Sequence, residues 1–375
     1  MRMLSASLTL FVLLFLLSFP ISATPGEELI DKVELEEFLG SLPEDVDELE
    51  DVEDIDGLAD AVGEMSGVEY IIKSVLDALG LELGAALMLF LAICALLVLS
   101  AVFNTSGASA QNSALSSAIR FCSVGGLFST VVYMQYKHFS QIEVFFDSLG
   151  KLMNSIIPMT ATVWAMGGNV SNASVGSASF YVMLAISERL FRSSVLPVCC
   201  VMSVLGLCDA MSDEMRLGKM LGAIKKIYAF FLGIVITLLL SSLGAQTAIL
   251  ASADSAAART ARMLSGSFIP ILGGSVGETL RTVSGGVSYL KNIFGIGGII
   301  MIFSLLLPVA VSLLLARIVF LISAGIAEVL GCANEARMLE NLGEVYGTML
   351  AVAVSVSVMF ILSLCIFVQS AVAVA

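Results

Sequence analysis

The sequence is poor in the side chains from which enzymes and metal sites are usually built. His138 is the only histidine in 375 residues, and charged residues make up 13% of the chain. A His-Glu-x-x-His zinc motif is therefore excluded, and no glycine run ends in the Gly-Lys-Ser/Thr of a phosphate loop. We predict a protein that is not an enzyme and that needs no cofactor.

The cysteines do not indicate a metal site or a disulfide framework. All seven lie in apolar runs or at their edges, and none has the spacing of metal ligands. In such positions a cysteine packs as a small hydrophobic side chain. The seven residues are Cys94, Cys122, Cys199, Cys200, Cys208, Cys332 and Cys365.

Apolar residues, by contrast, are in excess. They make up 58% of the chain, and the mean hydropathy is +0.98. Such values are typical of a polytopic membrane protein. We therefore expect the lipid bilayer to be one of its partners. Positions 26–66 hold seventeen acidic residues and one lysine, so the net charge of −14 leaves about +2 for the remainder. Basic residues are not clustered with aromatic ones, so we expect no nucleic-acid binding.

The first 23 residues have the pattern of a signal peptide. Arg2 precedes an apolar run at 8–19 that is too short for a full membrane span, and Ala23 offers a small residue for cleavage. We favour a cleaved signal peptide over an uncleaved anchor. In both cases the following segment begins outside the cytoplasm.

Residues 24–80 form an acidic extracytoplasmic segment that we expect to be helical. Apolar residues recur there every three or four positions and form one stripe on an acidic helix. Two interpretations stay open, a docking arm for an extracytoplasmic partner and a solvated helix that keeps the exposed region soluble. The stripe consists of Val46, Leu49, Val52, Ile55, Leu58 and Val62.

The rest of the chain predicts an all-α membrane fold with six to eight transmembrane or re-entrant helices. Apolar runs at 83–103, 114–136, 228–249 and 349–368 fit single spans, and the run at 293–330 is long enough for two passes around Pro308. His138 falls in a loop-like context between runs. We divide the chain into a first transmembrane pair (81–140) and two membrane repeats (141–250 and 251–375).

The most basic connection, 216–226, is predicted to lie in the cytoplasm because basic residues favour that side. The stretch 152–207 mixes apolar residues with many Gly, Ser, Asn and Thr residues. The number of crossings between the exported N-terminal segment and this connection therefore stays open.

The two membrane repeats share a pattern of prolines and glycines. Ser-Ile-Ile-Pro ends at Pro158 and Ser-Phe-Ile-Pro ends at Pro270, and a second proline follows after 39 residues in one copy and 38 in the other. Paired segments interrupted by Gly and Pro are typical of transporter repeats that meet near the bilayer midplane. The alternative is chance, since both residues are common in membrane helices. The candidate pathway or helix-packing residues in these repeats are Pro158, Gly167, Gly168, Pro197, Pro270, Gly273, Gly274, Gly277, Gly285, Gly286 and Pro308.

Two charged residues in the last long apolar run complete the candidate site. Arg317 and Glu328 are eleven positions apart, which places them on the same face of a helix. One hypothesis is a polar stripe along a pathway. The other is that Arg317 extends to the membrane interface while Glu328 ends its helix.

The stretch 268–298 also carries a family resemblance. Its sequence, with FIPILGG followed by SGGVSYLKNIFGIGG, resembles the stage III sporulation protein AE family of endospore-forming bacteria. The resemblance covers roughly residues 81–372. It implies a multi-pass subunit, similar to a permease or export platform, in the mother-cell membrane around the forespore. It names no catalytic residue.

The resemblance also implies partners. These are other stage III A sporulation proteins, including a secretion-type ATPase and ring-forming proteins, which together form a channel complex between mother cell and forespore that is needed after engulfment. The alternatives that we keep are an autonomous secondary transporter of a small solute and a purely structural membrane scaffold.

Overall fold

The computed structural model of the protein describes residues 55–108, 113–166, 172–211, 217–268 and 273–370. The expected signal peptide, most of the acidic segment, and the candidates Gly167, Gly168 and Pro270 lie outside these residues. Side-chain surroundings are described for fewer positions, and 250–268 and 273–289 are described by their backbone alone.

All regular structure in the described residues is helical, which confirms the all-α class. A short π-helical turn, Asn172–Gly176, precedes the fourth helix. The α-helices are α1 Ile55–Met65, α2 Val68–Ala108, α3 Ser113–Met166, α4 Ser177–Met211, α5 Gly218–Phe268, α6 Gly273–Val329 and α7 Ala333–Ser370.

From α2 to α7, each helix runs opposite to the one before it. In the pair α3–α4, Gln135 contacts Ser203 and Asp147 contacts Arg192 further along. In the last pair, Gly347 of α7 lies against Arg317 of α6, and Leu364 of α7 lies against Gly298 of α6. In both pairs, later positions on one helix contact earlier positions on the other, so the two helices are antiparallel. The C-terminal ends of α2, α4 and α6 therefore lie at one end of the bundle.

Helices α6 and α7 form the centre of the bundle and pack against each other along most of their length. Glycines allow this approach: a Cβ atom at Gly298 of α6 would lie 2.6 Å from Leu364 Cδ2 of α7 and 3.0 Å from Ile156 Cδ1 of α3. Leu364 and Ile156 are themselves buried. The core of the protein is therefore the seam between α6 and α7, with α3 beside it.

Five helical segments in the described residues are long and apolar enough to cross a membrane. This confirms the membrane class, while the total of six to eight membrane or re-entrant helices stays a prediction. Helix α3 is absent from the five, although it packs among them. The segments are Val68–Phe103, Ala173–Met211, Gly218–Gln246, Asn292–Val329 and Ala333–Ile366.

The prolines do not interrupt the helices that contain them. Pro158 lies inside α3, Pro197 inside α4 and Pro308 inside α6. The expectation of two passes at 293–330 was therefore wrong, because one helix runs through Pro308. A proline removes one backbone hydrogen bond, a loss that packed membrane helices tolerate.

Two residues of the predicted apolar stripe, Leu58 and Val62, lie in α1 on a face that the chain itself covers. Leu58, Val62 and Met65 are buried, while Asp60 and Glu64 are exposed. Val62 faces Gly297 of α6, where a Cβ atom would lie 3.1 Å from Val62 Cγ2. At least this part of the acidic segment docks on the membrane bundle.

Candidate functional site

Four polar side chains from three helices meet in the bundle, two of them buried and two, Glu82 and Gln141, half-buried. Glu82 belongs to α2, His138 and Gln141 to α3, and Ser312 to α6. His138 is 7% exposed and Ser312 is 2% exposed. We call these four residues the polar cluster. Polar groups buried in a membrane helix bundle are costly and are a reason to expect function.

Ser312 connects the other members of the polar cluster. Its hydroxyl oxygen lies 3.1 Å from Glu82 Oε2, 3.3 Å from Gln141 Oε1 and 3.3 Å from His138 Nδ1. A serine hydroxyl donates one hydrogen bond and accepts others. Ser312 can therefore donate to the carboxylate while it accepts from the imidazole.

His138 is helical and buried, so its expected loop-like placement was wrong. Burial lowers the pKa of His138 from its ordinary value, and the charge of Lys137 lowers it further, while Glu82 acts in the opposite direction. Its ring packs edge-on against Tyr346 of α7, with 5.3 Å between ring centroids. The hydroxyl of Tyr346 is buried and has no hydrogen-bond partner among the described residues. The ring is thus enclosed by neighbouring helices, and its burial disfavours the charged form.

A groove of about 730 Å³ between α3 and α6 adjoins the polar cluster. Gln141 belongs to both the cluster and the wall of the groove. Pro308 also lines it, so one predicted candidate lies at a cavity. The remaining lining residues are Tyr136, Lys137, Ser140, Val144, Phe145, Ser304, Leu305 and Val309.

The other two described prolines lie elsewhere. Pro158 of α3 and Pro197 of α4 are exposed on the surface of the bundle, and neither lines the groove. The structure therefore does not bring the predicted prolines together at one place. The duplication itself stays a prediction.

The structure gives different environments to Arg317 and Glu328. Arg317 lies against the backbone of α7, where a Cβ atom at Gly347 would be 2.8 Å from its Cζ. Glu328 is exposed, one residue before α6 ends, and its carbonyl accepts a hydrogen bond from the backbone of Gly331. The position of Glu328 favours its role in ending the helix, and the polar stripe stays a prediction.

The glycines of the stretch 268–298 divide into two groups. Gly295, Gly297 and Gly298 are buried, and a Cβ atom added at each would lie 2.6–3.1 Å from side chains of α7, α1 and α3. These three let helices pack closely. The glycines predicted as candidates lie within the backbone of α6, at its start and in its first four turns. They are Gly273, Gly274, Gly277, Gly285 and Gly286.

Two serine patterns also lie in this stretch. Residues 273–277 read Gly-Gly-Ser-Val-Gly and residues 288–291 read Ser-Tyr-Leu-Lys, which match Gly-x-Ser-x-Gly and Ser-x-x-Lys. In hydrolases the first pattern forms a sharp turn between a strand and a helix. Here both lie within the continuous helix α6, so the patterns give no support for a hydrolase.

A buried carboxylate joins three helices near the end of the bundle where α7 begins. Glu335, 1% exposed in the first turn of α7, accepts hydrogen bonds from Ser100 of α2 and Ser123 of α3. The two serine oxygens lie 3.2 Å apart. Sequence reasoning missed this site, although an acidic residue at the start of an apolar helix was a usable signal.

Polar contacts also fasten α7 to α4 and α5 near the same end. Asn341 of α7 donates to Asp209 of α4 at 3.3 Å, and Asp209 accepts from the backbone of Gly218 at 2.7 Å. Lys225 of α5 and Glu344 of α7 form an ion pair. Within the described residues no three His, Cys, Asp or Glu side chains gather to hold a metal ion.

Comparisons with known proteins agree with the resemblance in the sequence. The profile described as "Stage III sporulation protein AE" matches residues 57–371. Stage III sporulation protein AE of Bacillus subtilis (strain 168) is 24% identical over 216 residues. That alignment covers 58% of this chain and 54% of the relative, so the chain spans about half the length of that relative. No solved structure matches the chain.

Proposed function

Because the chain belongs to the stage III sporulation protein AE family, we propose that it is a multi-pass membrane subunit of a channel complex between mother cell and forespore. In this role it acts as a permease-like or export-platform-like part and catalyses no covalent reaction. The observation that carries the proposal is the family match over residues 57–371, which includes every helix of the bundle except the first two residues of α1.

The geometry supports a role in passage through the membrane. Apolar helices surround a groove and a polar cluster, and ionisable groups are kept inside membrane bundles chiefly along substrate or ion pathways. We propose that the groove between α3 and α6 is part of that pathway. A scaffold would not need this combination of a cavity and buried polar groups.

The proposed orientation places the N-terminal segment outside the mother-cell cytoplasm, in the membrane that surrounds the forespore. The alternating helix directions put α1 at the opposite end of the bundle from the start of α5. Lys219, Lys225 and Lys226 lie in the first turns of α5, and basic residues favour the cytoplasm. The proposed partners are other stage III A sporulation proteins, with a secretion-type ATPase on the cytoplasmic side and ring-forming proteins on the other.

Deletion and groove filling test the proposal in the spore-forming host. Deletion should stop spore formation after engulfment, and the wild-type chain should restore it. Ser304→Phe fills the groove, so we expect at least a tenfold loss of heat-resistant spores at an unchanged protein level. Thr130→Phe is the control, because Thr130 is exposed on α3. Normal spores from the deletion strain would refute the role in sporulation, and normal spores with Ser304→Phe would refute the groove as a pathway.

A second candidate function is that of an autonomous secondary transporter of a small solute, which the polar cluster beside the groove also favours. This function requires that the purified chain alone moves a solute into liposomes. Uptake of labelled amino acids and sugars can be compared between the wild type and Arg317→Gln. Transport without any partner protein would support this candidate, and its absence would leave the channel subunit as the better account.

A further inference from the structure

The polar cluster contains two ionisable groups that meet through a single hydroxyl. Ser312 Oγ lies 3.1 Å from Glu82 Oε2 and 3.3 Å from His138 Nδ1. We propose that Glu82, Ser312 and His138 form a proton-binding and proton-transfer site that opens to the groove between α3 and α6. The ligand of this site is the proton itself. The inference goes beyond the proposed function and does not depend on a partner protein.

In the proposed site the single hydrogen of the Ser312 hydroxyl goes to Glu82 and not to Gln141 Oε1, which lies 3.3 Å away. When Glu82 is ionised it can only accept, so the Ser312 hydroxyl donates to it. The Ser312 oxygen then accepts from Nδ1–H of His138. The neutral imidazole therefore carries its hydrogen on Nδ1, whereas the other ring nitrogen, Nε2, is unprotonated.

Proton transfer along this line balances without any further reactant. An imidazolium gives its Nδ1 proton to Ser312 Oγ while the Ser312 hydroxyl gives its own proton to Glu82 Oε2. One N–H bond and one O–H bond break, and two O–H bonds form. An imidazolium and a carboxylate become a neutral imidazole and a neutral carboxylic acid, so the pair holds the same total charge before and after.

The surroundings allow exchange with the groove and oppose a permanent charge on the imidazole. Gln141 contacts Ser312 and lines the groove, and Lys137 lines it next to His138. Lys137 and Glu82 are the charged groups that act appreciably on His138, and from α7 it meets the buried Tyr346. A lysine disfavours the imidazolium and a carboxylate favours it, so the balance between them sets when the proton binds.

A purely structural hydrogen-bonded link between helices is the competing explanation. Such a link would hold the helices together but would not require that His138 takes up a proton in the folded protein or passes one to Glu82. The two explanations therefore differ in the titration of His138, and not only in the stability of the protein.

The single histidine makes the test direct. The full chain, carrying an affinity tag without histidine, is labelled with ¹⁵N-histidine and placed in lipid nanodiscs, so that His138 gives the only imidazole signals. At high pH we expect the hydrogen on Nδ1. Ser312→Ala should shift the neutral ring towards the Nε2–H form. In Glu82→Gln the titration midpoint should fall by about one pH unit, since an opposite charge at this range shifts a pKa by one unit or more.

Asp77→Asn is the matched control, because Asp77 is an exposed acid on the same helix as Glu82. It should leave the midpoint within about 0.2 of a pH unit, as expected for a screened surface charge. An unsubstituted chain whose neutral His138 carries its hydrogen on Nε2 would overturn the proposal without any variant having to fold. So would an unchanged midpoint in a folded Glu82→Gln protein. Neither outcome bears on the role in sporulation, which the deletion strain tests separately.

Discussion

Replacement of Gly298 by alanine tests the close packing at the centre of the bundle. The added Cβ atom would lie 2.6 Å from Leu364 Cδ2 and 3.0 Å from Ile156 Cδ1. Carbon atoms prefer separations of about 3.5–4.0 Å, so the end of Leu364 must retreat by roughly 1 Å. Leu364 is 0% exposed and Ile156 is 1% exposed, so neither has open space to move into.

The change in stability caused by Gly298→Ala is the sum of two opposing effects. Overpacking of a core costs about 1–3 kcal/mol, while alanine in place of glycine within a helix gains up to about 1 kcal/mol. Gly325→Ala in the same helix is the control, because a Cβ atom there meets nothing within 4 Å. This substitution therefore gives the helix gain without the cost of overpacking. Gly298→Ala should therefore be less stable than Gly325→Ala by about 1–3 kcal/mol, since the helix contribution is common to both.

Unfolding of the full chain in mixed micelles, with increasing sodium dodecyl sulfate, measures this difference. Trp164 is the single tryptophan and is 1% exposed, so its fluorescence reports on the bundle core. Leu364→Ala removes the contact atom and should abolish most of the penalty of Gly298→Ala in the double variant. Equal stability of Gly298→Ala and Gly325→Ala, or additive effects of the Gly298 and Leu364 substitutions, would refute the packing argument.

Two further predictions concern charge. The pKa of His138 is lowered from its ordinary value of 6.5, so below about pH 6.5 the unfolded chain binds more protons than the folded chain. The free energy of unfolding should therefore fall as the pH is lowered from 7.5 to 5.5. The fall should be less steep in His138→Gln, and parallel pH profiles of the two proteins would contradict this prediction. The ion pair of Lys225 with Glu344 predicts that Lys225→Glu lowers the thermal unfolding temperature and that Glu344→Lys in the same chain restores at least part of the loss. A double variant less stable than either single variant would exclude that pairing.

The sequence was sufficient for the parts of the fold that depend on local patterns. Apolar runs located the long helices, and the spacing of Leu58 and Val62 gave the buried face of α1. Local pattern failed where tertiary packing decides. The charges around His138 suggested a loop, but α3 continues through them because α2, α6 and α7 enclose one side of the helix. Pro308 suggested a break, but flanking turns keep α6 continuous.

The candidate site could be predicted only in part, for a related reason. Pro308 was named, and it does line the groove. Glu82, His138 and Ser312 meet in the fold, although 56 positions separate the first two and 174 positions separate the last two. No periodicity in a single sequence shows such a contact. Arg317 and Glu328 share a helical face by spacing, yet packing against Gly347 separates their environments. Side-chain types were visible in the sequence, but their neighbours were not.

The buried contacts of Glu335 have a consequence for how the protein is made. Its serine partners lie 235 and 212 residues earlier in the chain, so both are synthesised long before α7 leaves the ribosome. A chain that stops before α7 never receives the carboxylate, and a chain that lacks α2 leaves that carboxylate buried with one donor fewer. Completion of the last helix thus supplies the acceptor that joins α2 and α3 at this end of the bundle.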